Sequence, residues 1–148
     1  MEFNELVDDF ALRHHVSDLV VVDGAASLDI DGIIVTIVAN GDVLTLSAEL
    51  GEPPVEGTAA FANALLEANL RPGSYFAKAP GAGPYLVVRR LSLSQLDGAL
   101  FDTELGTFTD TAETWCRFLA DFRPAAKAAE QQAQAVKEEF SSGSFIQV

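Results

Sequence analysis

Short apolar runs separated by glycine-containing turn signals do most to constrain what this chain can fold into. The runs cover residues 19–22, 27–31, 33–39 and 43–48, and the turn signals that follow the first three are Asp23-Gly24, Asp31-Gly32 and Asn40-Gly41. Asp-Gly and Asn-Gly favour tight hairpin turns because these residues tolerate positive φ. This part of the chain therefore predicts an antiparallel meander.

The alternation of apolar and polar residues indicates which face of each strand is buried. Leu28 and Ile30 alternate with polar residues in one run, and Leu44 and Leu46 do so in another. Each of these strands therefore offers one apolar face. Residues 33–38 read IIVTIV and place apolar side chains on both sides. We expect that strand to be covered on both faces.

Helical spacing of apolar residues predicts one helix before the meander and another after it. The first is expected at about residues 2–15. The second runs from Thr58, taken as its N-cap, to about Leu70, where Pro72-Gly73 stops it. The second helix is predicted to bury Phe61, Ala62, Leu65, Leu66 and Asn69.

Two further strands and a third helix complete the prediction. The strands are expected near residues 74–78 and 85–91, joined by a hairpin loop at 80–84, and the helix carries an apolar stripe from Phe101 to Phe122. Together the elements indicate an α+β fold. In it a twisted antiparallel sheet of about five strands packs with three helices, in the order α-β-β-β-α-β-β-α.

The length of 148 residues suits one domain with a substantial core. We place that domain at residues 1–123. Residues 124–148 begin at a proline and are rich in Ala, Gln and Glu, which predicts a helix-prone extension with a frayed end. The sequence predicts no signal peptide, and no apolar run reaches membrane-spanning length. A cytoplasmic location without membrane insertion is therefore expected.

Negative charge is concentrated in the first 60 residues. They hold 12 acidic residues against Arg13, a net charge of −11, whereas residues 61–148 hold 10 acidic and 8 basic residues, a net charge of −2. Such a field repels nucleic acid and anionic membranes. A basic or neutral polypeptide is the expected partner. For any single carboxylate, a role in keeping an apolar chain soluble explains the charge equally well.

The residues that most often carry catalysis or bind metals are few and poorly spaced for either task. His14 and His15 are neighbours, so on a helix they point about 100° apart and cannot clamp one metal ion. Residues 29–32 look like the start of a calcium loop, but Ile and Val fill the next positions. Residues 81–83 lack the helix of a phosphate site, and Cys116 lacks zinc-binding companions. We therefore predict no enzyme activity, no cofactor and no metal.

Several local sequences, together with the element order, resemble one known family. They are Leu50-Gly51-Glu52-Pro53, the helix end at 65–70, the strand at 86–93 with Arg89-Arg90 inside it, and a final helix bearing Ala112, Glu113 and Trp115. The resemblance covers roughly residues 3–122. It is to the Tir-chaperone (CesT-like) family, the class I type III secretion chaperones.

The resemblance implies a homodimer formed through the second helix and the strands after it. It also implies a partner, the extended N-terminal segment of a secreted effector protein, which is held along the chaperone surface and kept export-competent. No ATP hydrolysis is implied, and the implied location is the bacterial cytoplasm.

The candidate contact residues form two sets, and burial in the core of one chain explains their apolar members equally well. The candidate effector-binding residues are Val20, Val22, Ile34 and Val38. The candidate dimer contacts are Phe61, Leu65, Leu66, Val87 and Arg89. For the pair at 89–90, the simpler interpretation is one solvated arginine and one paired with the acidic N-terminal half.

Two other functions stay open from the sequence. One is a regulatory domain of the same general fold that binds a protein partner outside any secretion system. The other is a small hydrolase or ligand-binding enzyme, which would need a polar cluster in a pocket.

Overall fold

Five strands form one antiparallel sheet in the computed structural model, which describes residues 2–17 and 19–123. The strands lie in the order β1-β2-β3-β5-β4, so β1 and β4 are the two edges. Their bounds are β1 Ala25–Ile30, β2 Ile33–Asn40, β3 Val43–Gly51, β4 Tyr75–Lys78 and β5 Tyr85–Ser92. The predicted antiparallel sheet is confirmed.

Three α-helices accompany the sheet, in the predicted order. They are α1 (Phe3–Arg13), α2 (Thr58–Ala68) and α3 (Gly98–Ala120). α3 packs on β2 and β3, α1 packs on α3, and α2 lies against β4. No helix within the described ranges is long and apolar enough to cross a bilayer. The predicted extension at 124–148 lies outside the described residues, so the domain boundary stays a prediction.

The tight turns that separate β1, β2 and β3 form as predicted. Asp31 and Gly32 have φ angles of 52° and 88°, and Gly41 has a φ angle of 59°. The N–H of Gly32 donates to Oδ1 of Asp29 at 2.9 Å, which closes the first of these turns. The segment from 29 to 32 is therefore a hairpin turn, as expected.

The helices pack on one face of the sheet, and this decides which strand residues are buried. Val35 and Ile37 of β2 are fully buried, whereas Ile34 and Val38 are 55% and 39% exposed. Successive residues of a strand point to opposite faces, so these two lie on the face away from the helices. The prediction that this strand is covered on both faces is therefore wrong for the single chain.

Residues 19–22 do not form the strand that their apolar run predicts. Val22 makes only an isolated bridge with Ala25 across the Asp-Gly turn. Val16 and Leu19 pack partly buried against the hydrophobic core instead. The chain before Val22 packs against the hydrophobic core. It therefore does not continue as a strand beside β1 beyond the single bridge at Val22.

The start of α2 differs by one residue from the prediction. Gly57, rather than Thr58, is the N-cap, and it has a φ angle of 75° that favours glycine. Thr58 is the first helical residue, and its hydroxyl donates to the C=O of Pro54 at 2.7 Å. The threonine side chain therefore fixes the preceding loop and does not cap the helix.

One side chain ties the end of α2 to the edge strand β4. Asn69 accepts a hydrogen bond from the N–H of Phe76 at 2.6 Å and donates one to its C=O at 3.0 Å. An amide can do both because it carries a donor and an acceptor. Asn69 thus takes the place of a neighbouring strand at this point of the sheet edge.

A cluster of charged side chains joins the end of α1 to the start of α3. The guanidinium of Arg13 donates to the carboxylates of Asp9 and Asp102 and to the C=O of Gly98. Nε2 of His14 lies 3.1 Å from Oδ2 of Asp102. The hydrogen bonds from Arg13 hold the pKa of Asp102 below its ordinary value, against the smaller opposing effect of burial.

Replacing Asn69 by Ala should lower the free energy of unfolding by about 1–3 kcal/mol, because two partly buried backbone groups of Phe76 lose their partner. Urea unfolding followed by circular dichroism measures the change. The matched control is Asn63→Ala, since Asn63 is an exposed residue of the same helix. Equal stability of the two variants would contradict the role assigned to Asn69.

Replacing Asp102 by Asn should destabilise the protein at neutral pH and have less effect in acid. Because the folded-state pKa is lowered, pairing with Arg13 stabilises the fold above the unfolded-state pKa of about 3.9. This stabilisation is lost as the pH falls through the folded-state pKa. Urea unfolding from about pH 7 to about pH 2.5 should show the difference from wild type shrinking.

The control for this experiment is Asp110→Asn, which removes an exposed carboxylate from the same helix. It should change stability little at any pH, because it breaks no ion pair among the described residues. A destabilisation by Asp102→Asn that stays constant down to the lowest pH would disprove the assignment.

Candidate functional site

The edge strand β1 presents unpaired backbone groups. A two-residue turn joins β1 to β2, so Ile30 and Ile33 form a hydrogen-bonded pair, and bonded and non-bonded pairs alternate from there. Ser27 and Asp29 consequently direct their N–H and C=O groups away from β2. Within the part of the chain that the structure describes, these groups have no hydrogen-bond partner.

The unpaired edge has a defined length. At its start, Val22 and Ala25 bond each other's N–H and C=O groups at 2.9 and 3.0 Å, which uses the outward-facing groups of Ala25. Residues 26–30 are therefore the open part of β1. The opposite edge of the sheet differs, because Asn69 occupies the backbone groups of Phe76 there.

A groove of about 690 Å³ lies beside this open edge, between α1, α3 and the β1–β2 hairpin. Gly106 of α3 lines the groove, and an added Cβ at this position would meet nothing within 4 Å, so the missing side chain widens the groove. Its apolar surface is formed by Phe10, Val16, Leu19, Leu28, Ile30, Ile34 and Leu105. A groove of this kind next to an open strand edge can accept side chains of an extended peptide.

The acidic side chains around the groove have different surroundings. Asp102 on the inner wall is paired with Arg13 and His14. Asp29 and Asp31 on the outer rim are exposed, and neither forms an ion pair within residues 2–17 and 19–123. The uncompensated negative charge of the groove therefore lies on its outer rim.

The four candidate effector-binding residues all lie at the surface. Val20 and Val22 are 65% and 61% exposed. Val22 bridges Ala25, which is the direct partner of Val38 on β2, so these positions are neighbours across the sheet. Ile34 lies on the same face of β2, roughly 13 Å further along the strand, and lines the groove. Their contact with an effector stays a prediction.

The candidate dimer residues divide into buried and exposed ones. Phe61, Leu65 and Val87 are buried in the core of the single chain. Leu66 is 64% exposed, so the prediction that α2 buries it is wrong. It lies on the side of the helix that faces away from the sheet. The contact of this set with a second copy stays a prediction.

The neighbouring arginines of β5 point to opposite faces. Nη2 of Arg89 lies 3.4 Å from Oε2 of Glu104 on α3. Arg90 is exposed, and its guanidinium lies over the ring of Tyr75 at 5.9 Å from the centroid. One arginine is paired and one is solvated, as expected, but the paired carboxylate belongs to α3 and not to the acidic N-terminal half.

Sequence reasoning misses most of the groove. Phe10 and Leu105 fall within the first and third predicted helices, and both are buried, yet they also line the groove, which helical spacing does not indicate. Leu28 is likewise predicted only as an apolar strand position. The missing information is that β1 is an edge strand, which depends on the order of strands in the folded sheet.

His14 and Cys116, two side chains that could carry chemistry, are engaged in contacts within the protein. No group of three or more His, Cys, Asp and Glu placed to hold a metal ion occurs among the described residues. His14 packs on Phe10 with the ring centroids 4.5 Å apart. Burial raises the pKa of the Cys116 thiol, which donates a weak hydrogen bond to the C=O of Glu49 at 3.6 Å.

Known structures share this fold. A chain of the ExsC–ExsE complex gives a TM-score of 0.68 at 25% identity, over 83% of this chain and 94% of that one. The Yersinia pestis type III secretion chaperone SycH, solved with a stable fragment of YscM2, gives 0.63 at 19% identity over 77% and 99%. YbjN from E. coli, proposed to be a transcription regulator, gives 0.60 at 15% identity over 79% and 91%.

No curated protein sequence shows significant similarity to the chain. The sequence does match the family model of the Tir chaperone proteins over residues 5–116. This range covers all five strands, α2, and all of α1 and α3 except the first two residues of α1 and the last turn of α3. This match agrees with the element order and with the structural neighbours. The chain therefore belongs to the Tir chaperone protein (CesT) family.

Proposed function

We propose that this protein is a type III secretion chaperone that binds the extended N-terminal segment of a secreted effector and keeps it export-competent. The observation that carries the proposal is the open edge of β1 beside an apolar groove, in a chain of the Tir chaperone family. SycH, a chaperone of the same fold, was solved with a bound protein fragment.

The physical basis is the addition of a strand to the sheet. The outward N–H and C=O groups of Ser27 and Asp29 can each bond the backbone of an incoming extended segment. Every second side chain of that segment would then enter the groove above Leu28 and Leu105. A bound segment held in this way stays extended, which suits a chain awaiting export.

The proposed activity is binding without chemistry. The protein would act in the bacterial cytoplasm, without a cofactor and without catalysing a reaction. In support, the His14 ring packs on Phe10 and its Nε2 contacts Asp102, whose carboxylate is already paired with Arg13, and the partly buried Cys116 thiol bonds the C=O of Glu49.

We propose further that the functional unit is a homodimer formed through α2. The exposed side of this helix carries small and apolar residues, among them Ala59, Ala60 and Leu66, and Glu67 is its single charged residue. Such a surface is typical of a helix that packs against a partner. Phe61, Leu65 and Val87 would support the interface from the core beneath it.

A regulatory protein-binding domain is the alternative function. The likeness to YbjN shows that this fold also occurs in a protein proposed to regulate transcription. The two functions differ in the partner, so co-purification from native cells followed by mass spectrometry separates them. A secreted protein encoded beside this chain supports the chaperone, and a regulator as the sole partner supports the alternative.

Replacing Ile34 by Asp should weaken capture of the effector N-terminal segment by at least about tenfold, because it places a charge where an apolar contact is expected. Ile34 is 55% exposed, so the fold should persist. Calorimetry with the effector segment identified by co-purification measures the affinity, and circular dichroism checks the fold.

The matched control is Val43→Asp, a comparably exposed valine on the same sheet face but outside the groove. It should bind the segment as the wild type does. Unchanged binding by Ile34→Asp would move the effector site away from β1, and unfolding of that variant would show that Ile34 contributes to the core.

Replacing Leu66 by Glu should shift the protein from dimer towards monomer, because it buries a charge at the proposed interface. Sedimentation velocity at micromolar concentration distinguishes the 15.8 kDa chain from its dimer. Leu12→Glu is the control, since Leu12 is an exposed leucine on α1. A monomeric wild type would refute the dimer, and a dimeric Leu66→Glu variant would place its interface elsewhere.

A further inference from the structure

We infer that the segment captured at β1 alternates apolar and basic residues, with its basic side chains facing Asp29 and Asp31. The inference rests on the proposed function and adds the chemistry of the partner. The open edge at 26–30 limits the pairing to about five residues of the segment.

The geometry of β1 separates the side chains of an added strand into two rows. Leu28 and Ile30 point towards the groove, and Ser27 and Asp29 point to the opposite, solvent-facing side. Side chains on adjacent strands lie beside those of the same face. One row of the segment therefore lies in the apolar groove, and the other row lies beside Asp29.

The negative charges of Asp29 and Asp31 favour basic residues in the solvent-facing row of the captured segment. Asp29 accepts a hydrogen bond from the N–H of Gly32 but has no ionic partner among the described residues, and neither does Asp31. The exposed arginine of this sheet face, Arg90, lies three strands away on β5 and stacks on Tyr75. An added strand would partly desolvate the rim carboxylates, which a cation compensates.

The row of segment side chains that enters the groove should be apolar. Asp102, the carboxylate on the groove wall, is already paired with Arg13. A basic side chain pointing inwards would therefore meet an apolar surface and a neutralised carboxylate. The two rows thus select different residue types, and an alternating segment satisfies both.

The rim can be neutralised without disturbing the turn. Asparagine at position 29 still accepts the hydrogen bond from Gly32, and asparagine at 31 tolerates the φ angle of 52° that Asp31 adopts. The test variant is therefore Asp29→Asn with Asp31→Asn. The control variant, Glu56→Gln with Asp110→Asn, removes the same charge from exposed residues outside the groove.

The probes are three synthetic peptides of the pattern X-Val-X-Ile-X-Val-X, in which X is Lys, Gln or Glu. Fluorescence anisotropy measures their binding to the full chain. The lysine peptide should bind about three- to thirtyfold more tightly than the glutamine peptide at about 30 mM salt, with a smaller ratio at about 300 mM. The glutamate peptide should bind most weakly.

The test variant should reduce this ratio to near one by weakening the lysine peptide, while the glutamine peptide binds as before. The control variant should keep the ratio. Two results would overturn the charge preference without contradicting the groove as the binding site. One is equal binding of the lysine and glutamine peptides to wild type, and the other is an unchanged ratio of their affinities in the test variant. If none of the three peptides binds to wild type, the proposed groove fails together with this inference.

Discussion

The packing of α3 on β2 and β3 is the contact on which the rest of the structure depends. Phe101, Phe108 and Ala112 of this helix are buried, and each large apolar side chain so buried stabilises the fold by roughly 1.5–3 kcal/mol. The start of α3 is fixed by Asp97, whose carboxylate accepts from the N–H of Leu100 at 2.8 Å. Because the helices lie on one side, the other face of the sheet stays exposed, and α1 is held through its contact with α3.

The two edges of the sheet differ in whether their outward backbone groups are hydrogen-bonded, and this difference is the basis of the proposed function. At β4 the side chain of Asn69 bonds the outward groups of Phe76, so that edge is closed at its centre. At β1 the outward groups of Ser27 and Asp29 stay free. The apolar groove adjoins the free edge, so backbone pairing and side-chain burial are available at the same place.

Local sequence signals predict the hairpins and the helices well, because their causes are local. The Asp-Gly and Asn-Gly turns and the alternation of Leu28 and Ile30 need no knowledge of the rest of the fold. The strand order does need it, since β5 inserts between β3 and β4. For the same reason the groove is not predictable from sequence, and neither is the pairing of Arg89 with Glu104 on α3. The N-cap at Gly57 is missed because Thr58, a residue type favoured at caps, stands next to it.

The two exposed carboxylates of the β1 rim, Asp29 and Asp31, also affect how the protein behaves before it meets any partner. An uncovered strand edge beside apolar surface is a template for unwanted pairing between copies, and charged residues at such edges are a common natural safeguard. If two β1 edges approached each other, Asp29 and Asp31 of both copies would be brought together in a partly dry contact, and their repulsion would oppose it. The same two side chains that are proposed to attract a basic segment would thus also oppose self-association of the empty protein through β1.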